Sequence, residues 1–109
     1  MAYDKGLVQR VREEMGKLPG YVEKKMFGGV GLMLHGNMAC GVNGADLIVR
    51  VGPEQYESAL AEPHTRPFDT TGRPMKGWVV VTAEGYEADA DLKGWVQRGV
   101  AYASSLPAK

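Results

Sequence analysis

Between Asp4 and Leu18 the apolar residues Leu7, Val8, Val11, Met15 and Leu18 recur at spacings of three, four and seven, which places them on one stripe of a helix. Gln9, Arg10, Arg12, Glu13 and Lys17 fall on the opposite face. Pro19-Gly20 ends the helix, because proline disfavours helical geometry in the residue before it and glycine supplies a turn. From Tyr21 the period changes to two, with Val22, Lys24 and Met26 alternating against Tyr21, Glu23 and Lys25 as far as Gly28-Gly29. Three short apolar runs follow, Val30 to Leu34, Met38 to Val42 and Leu47 to Val51. His35-Gly36-Asn37 and Asn43-Gly44-Ala45-Asp46 separate them, which predicts an antiparallel meander.

The register of the first hairpin decides which side chains are buried, since a slip of one residue exchanges the two faces of a strand. A three-residue loop at His35-Gly36-Asn37 aligns Val30, Leu32 and Leu34 with Val42, Cys40 and Met38, and this is the preferred reading. A two-residue loop at His35-Gly36 pairs Met33 with Met38 and Gly31 with Cys40 instead. Met33 leaves apolar surface on the second face in either case, so that face is expected to be partly covered by a loop or another subunit.

Pro53 suits a helix first turn, and Tyr56, Ala59 and Leu60 predict a short helix exposing Glu54, Glu57 and Glu62. Pro63 to Lys76 is the least regular stretch, with three prolines and only Phe68 and Met75 as anchors, and is long for a connector. Trp78 to Val81 reads as a final strand, Gly85 to Ala88 as a turn, and Asp89 or Asp91 as the cap of a closing helix. That helix buries Leu92, Trp95, Val96, Gly99, Ala103 and Leu106. Gly94 and Gly99 each cost about 1 kcal/mol relative to alanine in a helix, so both are expected to mark close backbone approach. The fold expected is α+β: one domain over residues 1–109, with a mostly antiparallel five-stranded sheet packed with helices in two layers. Its element order is α-β-β-β-β-α-β-α.

Composition narrows the function classes. With 44% hydrophobic and 24% charged residues, the 109-residue chain has the profile of a folded protein with one core. Its 13 basic and 13 acidic side chains cancel, so no global field gathers phosphate backbones and direct nucleic-acid binding is not expected. No apolar signal or membrane-spanning run is present, which predicts a cytoplasmic protein without a membrane partner. A lone Cys40, two histidines and no Cys-x-x-Cys leave no disulfide or zinc pattern. Neither a metal nor a cofactor is expected.

The glycine cluster in Met26-Phe27-Gly28-Gly29-Val30-Gly31 lacks the spacing of a dinucleotide loop and enters a strand, so a strand-bend role is expected. The four-residue gaps from Gly36 to Gly41 and from Gly72 to Gly77 are followed by Val42 and Trp78 where a P-loop needs lysine. Cys40 would be a nucleophile only with His35 or His64 as base, but its alternation with Met38 and Val42 predicts burial. Glu13, Glu14, Glu54, Glu57 and Glu62 lie on exposed helix faces, and the methionines read as core filler. No catalytic residue is assigned. One constellation survives: His64, Arg66, Arg73 and Lys76 in the irregular segment, with Arg50 interrupting an apolar strand just before it. Such basic side chains suit an acidic partner or a small anion, or else pair locally with Glu54, Glu57, Glu62 or Asp69.

Five segments taken in order are Lys25 to Gly31, Gly36-Asn37-Met38, Asp46 to Val51, Gly72 to Trp78 and Leu92 to Trp95. With them the chain resembles the TfoX N-terminal domain family, the amino-terminal domain of TfoX/Sxy-type competence regulators. Met26, Phe27, Gly28, Gly29, Gly77 and Trp78 are the structural marks of that resemblance. It implies helices against a mostly antiparallel sheet, no established catalytic residues and no cofactor. Regulators of this type usually carry a second, carboxy-terminal domain, so a stand-alone N-terminal module is expected. The leading expectation is a non-enzymatic interaction or regulatory module with an unidentified protein partner. The alternative is a small-anion or metabolite-binding protein, extending to an enzyme, using Arg50 and the 63–76 loop. A homodimer is expected if the second sheet face is apolar.

Overall fold

Asp4 starts the first helix. Its carboxylate accepts hydrogen bonds from the backbone N–H groups of Gly6 and Leu7 at 2.8 and 3.1 Å, satisfying donors that the first turn leaves free. From there α1 (Lys5–Met15) buries Leu7, Val8, Val11 and Met15, the stripe its spacing predicts. The computed structural model describes residues 3–26, 29–69 and 74–108, without the side chains of Met26 and Pro74. Six strands follow α1: β1 (Tyr21–Met26), β2 (Gly29–Leu34), β3 (Asn37–Asn43), β4 (Asp46–Arg50), β5 (Thr65–Asp69) and β6 (Pro74–Val81). They form one antiparallel sheet in the order β1-β2-β3-β4-β6-β5. Helix α2 (Tyr56–Leu60) precedes β5, and α3 (Ala83–Tyr86) and α4 (Asp89–Ser104) close the chain.

Period-two alternation divides the sheet into two chemically different faces. Leu32, Cys40, Val49 and Val79 are successive cross-strand partners, as are Val30, Val42, Leu47 and Val81. Both rows join Val11, Met15, Ala59, Trp95 and Val96 of the helices in one core. The other alternation carries Val22, Met33 and Met38 in one row and Lys24, Gly31, Gly41, Ile48, Val80 and Arg66 in the next. Ile48 and Val80 are buried, yet they stand outside the helix-side core.

The expected architecture holds, but with six strands in place of five. The additional strand is β5, inside the segment read as irregular, and β6 begins at Pro74 rather than at Trp78. Pro67 obscured it, since a proline offers no N–H to a ladder. On the sheet edge β5 needs none on its outer side, and Pro67 sits opposite Val79 there. The ladder slips between Pro67 and Asp69, which breaks the period that sequence reading relies on.

The first hairpin combines both readings of its register. His35 and Gly36 turn with φ of 50° and 84°, a two-residue loop with both angles positive, and Met33 pairs with Met38. Ala39 then enters as an extra residue, and beyond this bulge Leu32 pairs with Cys40 and Val30 with Val42. Met38 therefore lies on the face away from the helices, not beside Leu34 as preferred from the sequence.

Helix α4 buries Leu92, Trp95, Val96, Gly99 and Ala103, whereas Leu106 lies past its end and is half-buried. Its N-cap is Ala88, with Asp89 and Asp91 in the first turn, so the capping role expected of an aspartate is replaced by interaction with the helix dipole. Residues 83–86, partly read as a turn, form the single-turn α3. Gly99 meets the bulge closely: a Cβ there would stand 2.4 Å from the Ala39 carbonyl oxygen. Gly94 has nothing within 4 Å, so close approach explains one glycine and not the other.

Candidate functional site

The sheet face away from the helices places Arg50 beside Trp78, its cross-strand partner. The Arg50 guanidinium carbon lies 5.1 Å from the Trp78 ring centre and 5.3 Å from that of Tyr102, which reaches across from α4. Phe68 of β5 extends the aromatic surface, with its ring centre 6.1 Å from that of Trp78. Electron-rich ring faces attract a guanidinium, each such contact being worth roughly 0.5–2 kcal/mol according to solvation. No carboxylate lies within ion-pair distance of Arg50 among the described residues. Its guanidinium is flanked by two rings rather than by an acid.

The local backbone explains why Trp78 and Arg50 meet. Gly77 adopts φ of 94°, and its carbonyl accepts from the N–H groups of Val51 and Gly52 at 2.8 and 3.0 Å. A Cβ at Gly77 would stand 3.2 Å from the Gly52 backbone. The Gly77-Trp78 pair of the shared motif thus locks the end of β4 to β6. Gly29 has a comparable role, since a Cβ there would lie 2.2 Å from the Val42 carbonyl oxygen. Phe27, Gly28 and Gly72 of the same motifs lie outside the described residues, and Met26 is placed only as the last residue of β1.

The other basic candidates are distributed differently. Arg66 spans the strand beside it to pair with Asp46 at 2.6 Å, lying along the row that contains Val80. The pairing weighed from the sequence named Glu54, Glu57, Glu62 or Asp69; Arg66 pairs instead with Asp46, which the sheet brings across β6. His64 is exposed at the turn into β5, with φ of 64°, and its carbonyl accepts from the Thr82 N–H at 2.9 Å. Lys76 is exposed on β6, and Arg73 lies outside the described residues. Three cavities lined by described residues lie away from Arg50, His64, Arg66 and Lys76. One of about 350 Å³ shares Tyr102 with the Arg50 cluster.

Cys40 is fully buried, and loss of solvent pushes its thiol up to about 12, so at neutral pH it stays protonated and hidden. Sequence reading missed Tyr102. The only signal was its position three residues after Gly99 on the flank of the buried stripe, and its aromatic contact depends on the sheet end that α4 meets.

The family model described as the TfoX N-terminal domain matches residues 13–103. The chain belongs to the TfoX N-terminal domain family. The match spans β1 to β6 and nearly all of α4, so the Arg50, Trp78 and Tyr102 cluster lies within the TfoX N-terminal region. No curated protein and no solved structure gave a significant match.

Proposed function

We propose that this TfoX N-terminal domain is a non-enzymatic interaction module whose open sheet face receives an acidic, partly apolar segment of a partner protein. The observation that carries this reading is Arg50, held near two aromatic rings on a face the helices leave open, with no acidic partner among the described residues. Met33 and Met38 pair on the same face, and methionine surfaces adapt to varied apolar partners. The face also carries Lys24 and Arg66, while its acid Asp46 is engaged by Arg66. A carboxylate matches both the charge and the forked donors of Arg50. The inaccessible Cys40 thiol favours a binding role over nucleophilic chemistry.

The test is affinity capture on wild-type protein and an Arg50→Glu variant. Each candidate is then purified and titrated against the isotope-labelled chain. A partner that depends on Arg50 and shifts the Met33, Met38, Ile48 and Trp78 resonances supports the reading. Binding indifferent to Arg50→Glu, or shifts confined to the helix side, refutes it. Sedimentation provides a further arm: a dimer that shields these resonances assigns the face to a second copy of the chain and overturns the acidic-partner proposal.

A further inference from the structure

The inward alternation of β1 is unusual. Its neighbours on the helix side are Leu34, Leu32 and Val30, but β1 itself contributes Tyr21, Glu23 and Lys25. Helix α1 does not close over this polar edge, and a cavity of about 440 Å³ remains between α1 and β1. That volume falls within the roughly 300–1,000 Å³ of small-molecule sites. Its apolar surface comes from Val8, Val30 and Tyr3. Residues Tyr3 and Asp4 are tied to the β3–β4 turn by a bridge to Gly44 and by the Asp4 N–H to the Gly44 carbonyl at 2.8 Å.

The charges lining the cavity do not cancel. Arg12 grips Glu23 through two nitrogens at 2.5 and 2.8 Å, and the Tyr21 hydroxyl donates to the same carboxylate. Glu23 is therefore held ionised, and its charge is offset by Arg12. Lys5 from the start of α1 and Lys25 from β1 also line the cavity, and neither is in an ion pair among the described residues.

We infer that this cavity binds a small organic anion, its carboxylate or phosphate between Lys5 and Lys25 and its apolar body against Val8, Val30 and Tyr3. Ammonium groups on two separate elements supply the charge, and the largely buried valines form an apolar floor beside Tyr3. This site is separate from the open sheet face and stands independently of the function proposed for it.

Amide NMR titration of the full chain tests the assignment, using phenyl phosphate and phenylacetate, with inorganic phosphate and benzyl alcohol as partial probes. The expected result is saturable shifts at Lys5, Val8, Lys25 and Val30 with one or both organic anions, at a dissociation constant of ~1 mM or tighter. Whichever anion binds more tightly identifies the headgroup. Each partial probe binds about tenfold more weakly, because each lacks one half of the recognition. A Lys5→Glu/Lys25→Glu variant that keeps the wild-type spectrum elsewhere no longer saturates. A Lys5→Arg/Lys25→Arg variant, which keeps both charges, retains binding. No saturation by either organic anion at ~10 mM, equal binding of inorganic phosphate, or unchanged binding by the charge-reversed variant overturns the inference.

Discussion

Helix α4 contains the same residue in two opposite environments, so one substitution should change sign along a single helix. Glycine in a helix interior costs about 1 kcal/mol relative to alanine. At Gly94, with nothing within 4 Å of an added Cβ, Gly94→Ala collects that gain and stabilises the fold by about 1 kcal/mol. At Gly99 the added methyl would stand 2.4 Å from the Ala39 carbonyl oxygen and 3.0 Å from the Cys40 sulfur. The nearer atom belongs to the β3 bulge backbone and cannot rotate away, so α4 must lift from the sheet. Because backbone has to move, the overpacking cost falls in the upper part of the usual range, about 2–3 kcal/mol, and after the helix gain is subtracted Gly99→Ala should lose about 1–2 kcal/mol. For a domain near this size, 1 kcal/mol moves the melting temperature by about 4–8 °C. Urea and thermal unfolding of the two variants therefore diverge on either side of the wild type. A Gly99→Ala protein as stable as wild type, or a Gly94→Ala protein less stable, would refute the packing argument.

Further outcomes follow from other contacts. Asp4→Ala removes the cap of α1 and should cost about 1 kcal/mol, read as a lower urea midpoint at unchanged slope. The buried Cys40 thiol, pushed up to about 12, should resist a thiol reagent in native buffer and react only on unfolding; prompt native labelling would contradict its burial. Glu23 has a carboxylate lowered below its ordinary range, first by the Arg12 hydrogen bond. Its contribution to stability is present above the unfolded-state value near pH 4.5 and is lost as pH falls through the lower folded value. Glu23→Gln should accordingly flatten the acid limb of a stability–pH profile, and an unchanged limb would show that the carboxylate is not coupled to folding.

The two candidate sites differed in how far they could be read from residues alone. Arg50 stood out because a cation interrupted an apolar run, but grouping it with His64, Arg66, Arg73 and Lys76 assumed that proximity in an irregular segment means convergence. Strand β5 instead sends Arg66 toward Asp46 and leaves His64 at a turn, while Trp78 and Tyr102 flank Arg50. The α1–β1 cavity left no signal of its own, since Lys5, Glu23 and Lys25 look like ordinary solvated charges until β1 is known to pair with β2 on the helix side.

What the sequence determined by itself was local and periodic. The stripe of α1, the meander from Tyr21 to Val51, the short α2 and the buried side of α4 each repeat apolar residues at the period of their own backbone. The family resemblance rested on segments of the meander and of α4 together with Gly72 to Trp78. Only the tertiary structure decided the rest. The extra residue at Ala39 and the slipped ladder after Pro67 each break the period locally, so no pattern announced the mixed hairpin register or the edge strand β5. Which glycine of α4 touches the sheet, which ring flanks Arg50 and which lysines share a cavity depend on residues far apart in the chain. Those contacts are set by how β-strands twist and bulge beneath the helices, and a one-dimensional period carries no record of that.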